Sequence, residues 1–301
     1  MIKGDEVRAA AAVVAGRVRR TPVLQAGPRI WFKLEYLQHA GSFKTRGMFH
    51  QMMAAGTLPG AGIVAASGGN AGLAAAYAAG ELGVPAEVYV PVTAPAVKVA
   101  RLAALGARVV QVGTEYAEAY AEAVVHAAAT GARFCHAYDD PDMVAGNGTL
   151  GLELGAQLDF DTVLVAVGGG GLVAGVAAAL HQTAGIVGVE PETCTTLHSA
   201  LARGRPVDVP VSGVAADSLG ARRIGEIAFD TAVATGIRSI LVDDRAILDA
   251  RRRLWADYRI VVEHGTAAAY AALTSGAYRP AAGERVVVLL CGANTDPADL
   301  V

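Results

Sequence analysis

The stretch Thr162-Val163-Leu164-Val165-Ala166-Val167-Gly168-Gly169-Gly170-Gly171-Leu172-Val173-Ala174-Gly175-Val176-Ala177-Ala178-Ala179-Leu180 decides how this chain folds. Its last 18 residues carry no charge, which matches the length of a membrane-spanning helix. Four consecutive glycines argue against one, since each weakens a helix interior by about 1 kcal/mol. The stretch reads instead as a buried strand, a glycine turn and a packed helix. Outward from it the same alternation repeats. Further apolar runs lie at 31–34, 63–66, 86–90, 108–112, 186–190, 239–242 and 285–291. Ala-rich stretches with helical periodicity lie at 70–82, 96–105, 116–129, 244–258 and 266–274. Strand–helix alternation predicts an α/β fold with a mainly parallel sheet covered by helices on both faces. The runs are continuously apolar, as strands buried on both faces require.

Composition narrows the function. The chain has 301 residues, room for one large α/β domain or two modest lobes. Lys+Arg 25 against Asp+Glu 28 gives a net charge of −3, which supplies no basic face for nucleic acid or an anionic membrane. Hydrophobic content of 53% and charged content of 18% exclude disorder. The cysteines Cys135, Cys194 and Cys291 are odd in number and widely spaced, so neither a disulfide scaffold nor a zinc site is expected. At the start of the chain, Asp5, Glu6 and Arg8 precede the apolar stretch while Arg17, Arg19 and Arg20 follow it. That order is wrong for a secretory signal. A soluble, cytoplasmic protein is expected.

In parallel sheets ligands bind at the carboxyl ends of the strands. Four predicted strand ends carry Ser67-Gly68-Gly69-Asn70, Gly168 to Gly171, Pro191-Glu192-Thr193-Cys194-Thr195-Thr196, and Cys291-Gly292-Ala293-Asn294. The glycine run before a helix is an anion signal, because backbone N–H groups can approach a phosphate there. Gly169, Gly171 and Ala174 also fit a dinucleotide fingerprint, with Glu190 downstream for a ribose, so an NAD(P)-dependent oxidoreductase is a reading from a different class. No Gly-Lys-Ser/Thr follows, which excludes a P-loop. Lys44 sits in Gly41-Ser42-Phe43-Lys44-Thr45-Arg46-Gly47, in a turn before a helix. Spacing alone leaves it either a solvated surface lysine or a partly desolvated Schiff-base lysine. No GxSxG or HExxH occurs, and the seven histidines lack metal-ligand spacing.

Together with Arg20-Thr21-Pro22-Val23-Leu24 and Lys33-Leu34-Glu35, these motifs occur in the order of the fold type II pyridoxal-phosphate enzymes, and the chain resembles most closely the serine/threonine dehydratases. The resemblance implies a tryptophan synthase β-like fold of two lobes, each an open, mainly parallel sheet flanked by helices. Residues 1–40 and 138–301 would form the larger lobe and 41–137 the smaller. With ten residues after Cys291, no regulatory domain is expected. The implied reaction is α,β-elimination of L-serine or L-threonine to pyruvate or 2-oxobutanoate plus ammonia. Dehydration of another β-hydroxy amino acid (hydroxyaspartate or phenylserine) and β-replacement are the alternatives within the fold.

The resemblance also implies roles. Lys44 is the Schiff-base lysine and the base at Cα. Phe43 lies against the pyridine ring, Asn70 meets its 3′-oxygen, and Cys291 meets its nitrogen. The backbone of Gly168, Gly169, Gly170 and Gly171 holds the phosphate, while Ser67, Gly68 and Gly69 hold the substrate carboxylate. A monovalent cation, K+ or Na+, is implied at Glu190, Cys194 and Thr196 with the carbonyls of Leu219 and Ala221. A homodimer is implied as well. Three positions depart from the pattern. Ala40 replaces a hydroxyl residue, His264 replaces a proline, and Gly68 stands where related racemases carry a serine, which disfavours racemisation.

Overall fold

The computed structural model describes residues 1–54 and 56–300. The apolar runs become two sheets. Ten strands form them: β1 Val23–Gly27, β2 Ile30–Lys33, β3 Ile63–Ala66, β4 Ala86–Val90, β5 Arg108–Gln111, β6 Arg133–Cys135, β7 Thr162–Ala166, β8 Gly185–Pro191, β9 Arg238–Val242 and β10 Val286–Leu289. Six make one sheet in the order β1-β2-β10-β7-β8-β9, and four make the other in the order β5-β4-β3-β6. Only the β1–β2 pairing is antiparallel among them. The expected mainly parallel α/β architecture is what the chain adopts. Strands β3, β7 and β10 are buried along their whole length, which explains their unbroken Val/Ile/Ala/Leu runs.

Among the described residues eleven α-helices cover the sheets: α1 Gly4–Val13, α2 Lys44–Met53, α3 Asn70–Leu82, α4 Ala96–Ala104, α5 Tyr116–Thr130, α6 Pro141–Gly155, α7 Gly171–Leu180, α8 Thr196–Arg203, α9 Glu226–Thr235, α10 Asp244–Tyr258 and α11 His264–Thr274. The helices read at 70–82 and 244–258 occur as expected, and the other predicted elements agree to within two residues. The quoted stretch is indeed strand β7, a glycine turn and helix α7. Lys44 differs slightly from expectation, since it opens α2 rather than sitting in the turn before it. Among the described residues no helix is long and apolar enough to cross a membrane.

Helix α6 joins the two sheets despite four glycines in its sequence. Asp140 caps it by accepting from the Met143 N–H at 2.9 Å, and Pro141 occupies its first turn. The glycines serve packing. A Cβ on Gly146 would lie 2.8 Å from the Gly47 Cα of α2, and one on Gly148 would lie 2.7 Å from the Gly175 carbonyl of α7. Backbone approach of that kind fixes α2 against α6.

Charged groups lock the same junction. Buried Arg46 donates from Nε to Glu35 Oε1 (2.6 Å) and from Nη2 to Glu153 Oε2 (2.9 Å). Lys33 Nζ, fully covered, donates to Glu153 Oε1 (2.5 Å), Gln157 Oε1 (2.8 Å) and the Thr21 carbonyl (2.7 Å). Burial would raise the Glu153 carboxyl, but Arg46 and Lys33 hold it below the usual carboxylate range. Truncating one partner leaves its opposite buried and unpaired. Arg46→Met should therefore cost roughly 3–5 kcal/mol in urea unfolding, and Arg46→Met with Glu35→Leu should cost clearly less. Equal losses in both variants would show that packing, not charge, holds this junction.

Candidate active site

The β7 strand ends at the glycine run, and no side chain would fit there. A Cβ on Gly169 would fall 2.4 Å from the Tyr138 ring, and one on Gly171 would fall 2.6 Å from the Tyr138 carbonyl. Gly170 adopts φ +88°, open to glycine at little cost. The first bond into α7 runs from the Ala174 N–H to the Gly170 carbonyl at 3.0 Å. The N–H groups of Gly171, Leu172 and Val173 therefore have no helical acceptor. Free amides, a positive helix end and no intruding side chain make an anion cradle.

Lys44 reaches toward the same crevice. Its Nζ donates to the Ala137 carbonyl (2.5 Å) and lies 4.9 Å from the Phe43 ring centroid. Burial pulls its amine down to about 8, with Cys291 opposing the shift. A lysine so placed is a nucleophile and a base near neutral pH rather than a fixed surface charge. Phe43 is buried, and its N–H donates to the Cys291 carbonyl at 3.0 Å. Beside it the buried Ser42 hydroxyl has no hydrogen-bond partner among the described residues.

Asn70 opens α3 and meets two residues from the far end of the chain. It donates to Glu263 Oε2 (2.9 Å) and accepts from Asn294 Nδ2 (2.6 Å). Asn294 also donates to the Ala40 carbonyl (2.8 Å), and its N–H donates to Glu263 Oε1 (2.9 Å). Ala40 is held at φ 54°, a left-handed conformation unusual for alanine. Cys291 follows β10, its Sγ 3.2 Å from Thr266 Oγ1, and burial pushes its thiol up to about 12. It stays neutral. Ser67 Oγ accepts from the Gly69 N–H at 3.2 Å, and Gly68 and Gly69 present backbone at the start of α3. Lys44, Phe43, Asn70, Cys291, Ser67–Gly69 and the Gly168–Gly171 run thus meet at the strand ends of both sheets. The dinucleotide reading leaves that meeting of Lys44, Asn70 and Cys291 unexplained.

Residues 14–292 match the profile of the family described as "Pyridoxal-phosphate dependent enzyme". The chain belongs to that family. It is 37% identical to the L-threonine ammonia-lyase of Geobacter sulfurreducens, over 93% of this chain and 72% of that protein. A threonine deaminase of T.th. superposes with a TM-score of 0.89 at 35% identity, covering 98% of this chain and 99% of the other. Maize serine racemase superposes with a TM-score of 0.92 at 29% identity, covering 99% and 95%.

The residues present fit the family's cofactor. A cradle with no room for a Cβ at Gly169, Gly170 or Gly171 suits a phosphate, a half-buried lysine with a lowered pKa suits an aldehyde, and the orphaned Ser42 hydroxyl marks a polar position suited to a partner. Glu263, Asn294, Tyr138 and Thr266 complete the surroundings without having been assigned from the sequence. Asn294 stands inside the quoted Cys291–Asn294 stretch, whereas Tyr138, Glu263 and Thr266 carry no local signal in the sequence. His264, the unusual residue after Glu263, lies 3.7 Å from Asp299 and 3.5 Å from Arg251 Nη1, away from Asn70.

The residues proposed for a cation are only partly gathered. Glu190 is fully buried and accepts from Thr196 Oγ1 (3.0 Å) and from the N–H groups of Leu197 (2.7 Å) and His198 (2.8 Å) at the start of α8. Thr196 Oγ1 also lies 2.5 Å from the Gly168 carbonyl, so its one proton is shared between that carbonyl and Glu190, linking this carboxyl to the cradle. The Cys194 thiol turns to the Ser212 carbonyl (3.4 Å), and Leu219 packs on Gly168. No contact brings Ala221 to Glu190 among the described residues. No cluster of three His, Cys, Asp or Glu side chains forms among those residues either.

Burial pushes the Glu190 carboxyl up to about 7 despite the bonds from Leu197 and His198. The folded chain then holds a proton that the unfolded chain has already released, so this stability is present in acid and lost as pH rises through 7. Melting temperature in sodium- and potassium-free buffer should fall between pH 5 and 8, and Glu190→Gln should flatten that slope. An unchanged slope would show that Glu190 is ionised throughout.

Proposed function

We infer that this chain is a pyridoxal-phosphate-dependent ammonia-lyase that converts L-serine or L-threonine to pyruvate or 2-oxobutanoate. The observation that carries this reading is Lys44, half-buried with its amine pulled down to about 8, bonded to the segment that packs on the glycine cradle. The names of its relatives, L-threonine ammonia-lyase and threonine deaminase, point the same way.

When bound, pyridoxal phosphate supplies an electron-withdrawing ring that accepts the electron pair of the broken Cα–H bond. The protein does the rest. Amides of Gly168 to Gly171 and the start of α7 would anchor the phosphate, and Phe43 would cover a face of the ring. Asn70, oriented by Glu263 and Asn294, would donate to the 3′-oxygen. The neutral Cys291 thiol would meet the ring nitrogen and supply no negative charge to hold a proton there, which would leave the ring a moderate electron sink. Ser67 and the amides of Gly68 and Gly69 orient the substrate carboxylate, again at a helix N-terminus. The Lys44 amine then takes the Cα proton, which its depressed pKa suits at neutral pH. The β-hydroxyl departs as water, and hydrolysis of the released enamine gives the 2-oxo acid and ammonia.

Gly68 supports elimination over racemisation. A Cβ there would have room, 3.6 Å from Val90 Cγ1, so its absence is chemical rather than steric. Without a hydroxyl at this position, no side chain from it can return a proton to the second face of Cα.

A monovalent cation at Glu190 and Thr196, with carbonyls of Cys194, Leu219 and Ala221, belongs to the same reading. Support comes from a buried carboxyl that has no basic partner among the described residues. The neutral Thr196 oxygen favours K+ or Na+ over a harder divalent ion. The homodimer and a smaller lobe over 41–137 rest on the family resemblance, and the four-stranded sheet at 63–135 supports the latter. Light scattering tests the first.

The deciding assay is 2-oxo acid release from L-serine and L-threonine with the cofactor and K+ present. Both products are expected, and Lys44→Ala should lower turnover by at least ~10³-fold, as loss of a group acting as both nucleophile and base implies. Turnover retained in that variant sinks the assignment. K+ should raise the melting temperature more at pH 8 than at pH 6, because it stabilises only the ionised Glu190. An equal rise at both would place the cation elsewhere.

A further inference from the structure

An aromatic file leads away from Lys44. Strand β6 runs on into His136-Ala137-Tyr138, and the Ala65–Cys135 register sets this segment beside Ala66 and Ser67 at the end of β3. The Ala137 carbonyl accepts from Lys44, and the Tyr138 ring presses on Gly169, where a Cβ would lie 2.4–2.6 Å from three ring carbons. The segment thus spans from the carboxylate loop to the glycine cradle, directly over the reactive amine. With the proposed carboxylate site at Ser67, this segment borders the substrate position on the Ala137 side.

The His136 ring centroid lies 5.1 Å from that of Tyr138, 6.0 Å from that of Tyr120 and 6.4 Å from that of Phe134. Tyr120 in turn meets Phe134 at 5.4 Å and Tyr116 at 6.0 Å. Four of these five are half-buried, and Tyr116 is 51% exposed. His136 Nδ1 accepts from the N–H groups of Tyr138 (3.3 Å) and Asp139 (2.9 Å), which fixes the ring. Burial holds it below the usual histidine range, so it stays neutral and presents a π-surface. Several pairs meet edge to face, at 88° for Tyr120–Phe134 and 69° for His136–Tyr138. Partly covered rings in a line from the amine to solvent have faces to offer. A hydroxymethyl or hydroxyethyl group cannot cover them, whereas one more ring would extend the file in the same geometry.

We propose that this file is the wall of the β-substituent pocket and that it selects β-hydroxy amino acids bearing an aryl group, 3-phenylserine being the simplest. The proposal rests on the elimination reading above and names its preferred substrate class. The Cα–H and Cβ–O bonds break and water leaves. Hydrolysis of the enamine consumes one water, so phenylserine yields phenylpyruvate and ammonia with no oxidant or reductant.

The test compares kcat/KM of the holoenzyme for L-threo-3-phenylserine, L-threonine and L-serine by ammonia release, in the wild type, Tyr138→Leu and Tyr120→Leu. Phenylserine should be preferred. Each substitution should lower its kcat/KM relative to serine by roughly three- to tenfold, what one aromatic pair is worth, mainly through KM. Turnover of serine and threonine without phenylserine, or equal losses on all three, overturns the proposal and leaves the elimination reading standing. If no substrate releases ammonia, the elimination reading fails, and calorimetry with L-phenylalanine and L-alanine judges the wall alone. Tighter binding of phenylalanine that Tyr138→Leu abolishes sustains it, and equal binding overturns it.

Discussion

Everything at the site depends on where α2 begins, and the buried charges of Lys33, Glu35, Arg46 and Glu153 set that point. Arg46 lies two residues beyond Lys44, so the two side chains leave the helix in different directions. One is tied to β2 and α6 through Glu35 and Glu153, while the other is directed to the crevice. Two positive and two negative groups cancel, which lets the protein keep them away from water. Bare apolar packing could hold α2 equally tightly. Directional bonds from a planar guanidinium also fix its rotation, and rotation decides where the Lys44 amine lies.

A second set of bonds brings distant parts of the chain together. Asn294, near the C-terminus, joins Ala40 to Asn70, and Glu263 receives both Asn70 and the Asn294 N–H. The six-stranded sheet thereby touches the first turn of a helix that covers the four-stranded one. This convergence explains why a site whose residues span positions 42 to 294 closes around a single lysine. It also explains the left-handed backbone at Ala40, whose carbonyl must turn to meet Asn294.

Much of this was legible in the residues themselves. Strands buried on both faces announce themselves as apolar runs, which is why β3, β7 and β10 were readable. The edge strand β1 and the three-residue β6 were not, since one is half-exposed and the other too short to show a period. Helix α6 was hidden by its glycines, whose poor helix propensity is overridden by close packing on α2 and α7. At the site, Lys44 and the glycine run stood out by composition and order. Glu263 and Tyr138 did not, because their importance comes from contacts across more than thirty residues of chain that no local pattern encodes.

The glycine cradle has a consequence for the conditions under which the enzyme keeps its cofactor. Its partners for an anion are peptide N–H groups, which neither ionise in the physiological range nor rotate out of place as an arginine or lysine would. Retention of a phosphate ester there should follow the ester's own second ionisation, near pH 6, rather than any titration of the groups that hold it. Added salt should also loosen it less than it would an exposed lysine clamp, because fixed dipoles in a partly enclosed turn are poorly screened. A phosphate grip proposed on backbone would thus add no ionisable group of its own to a site that already holds the titratable Lys44 amine.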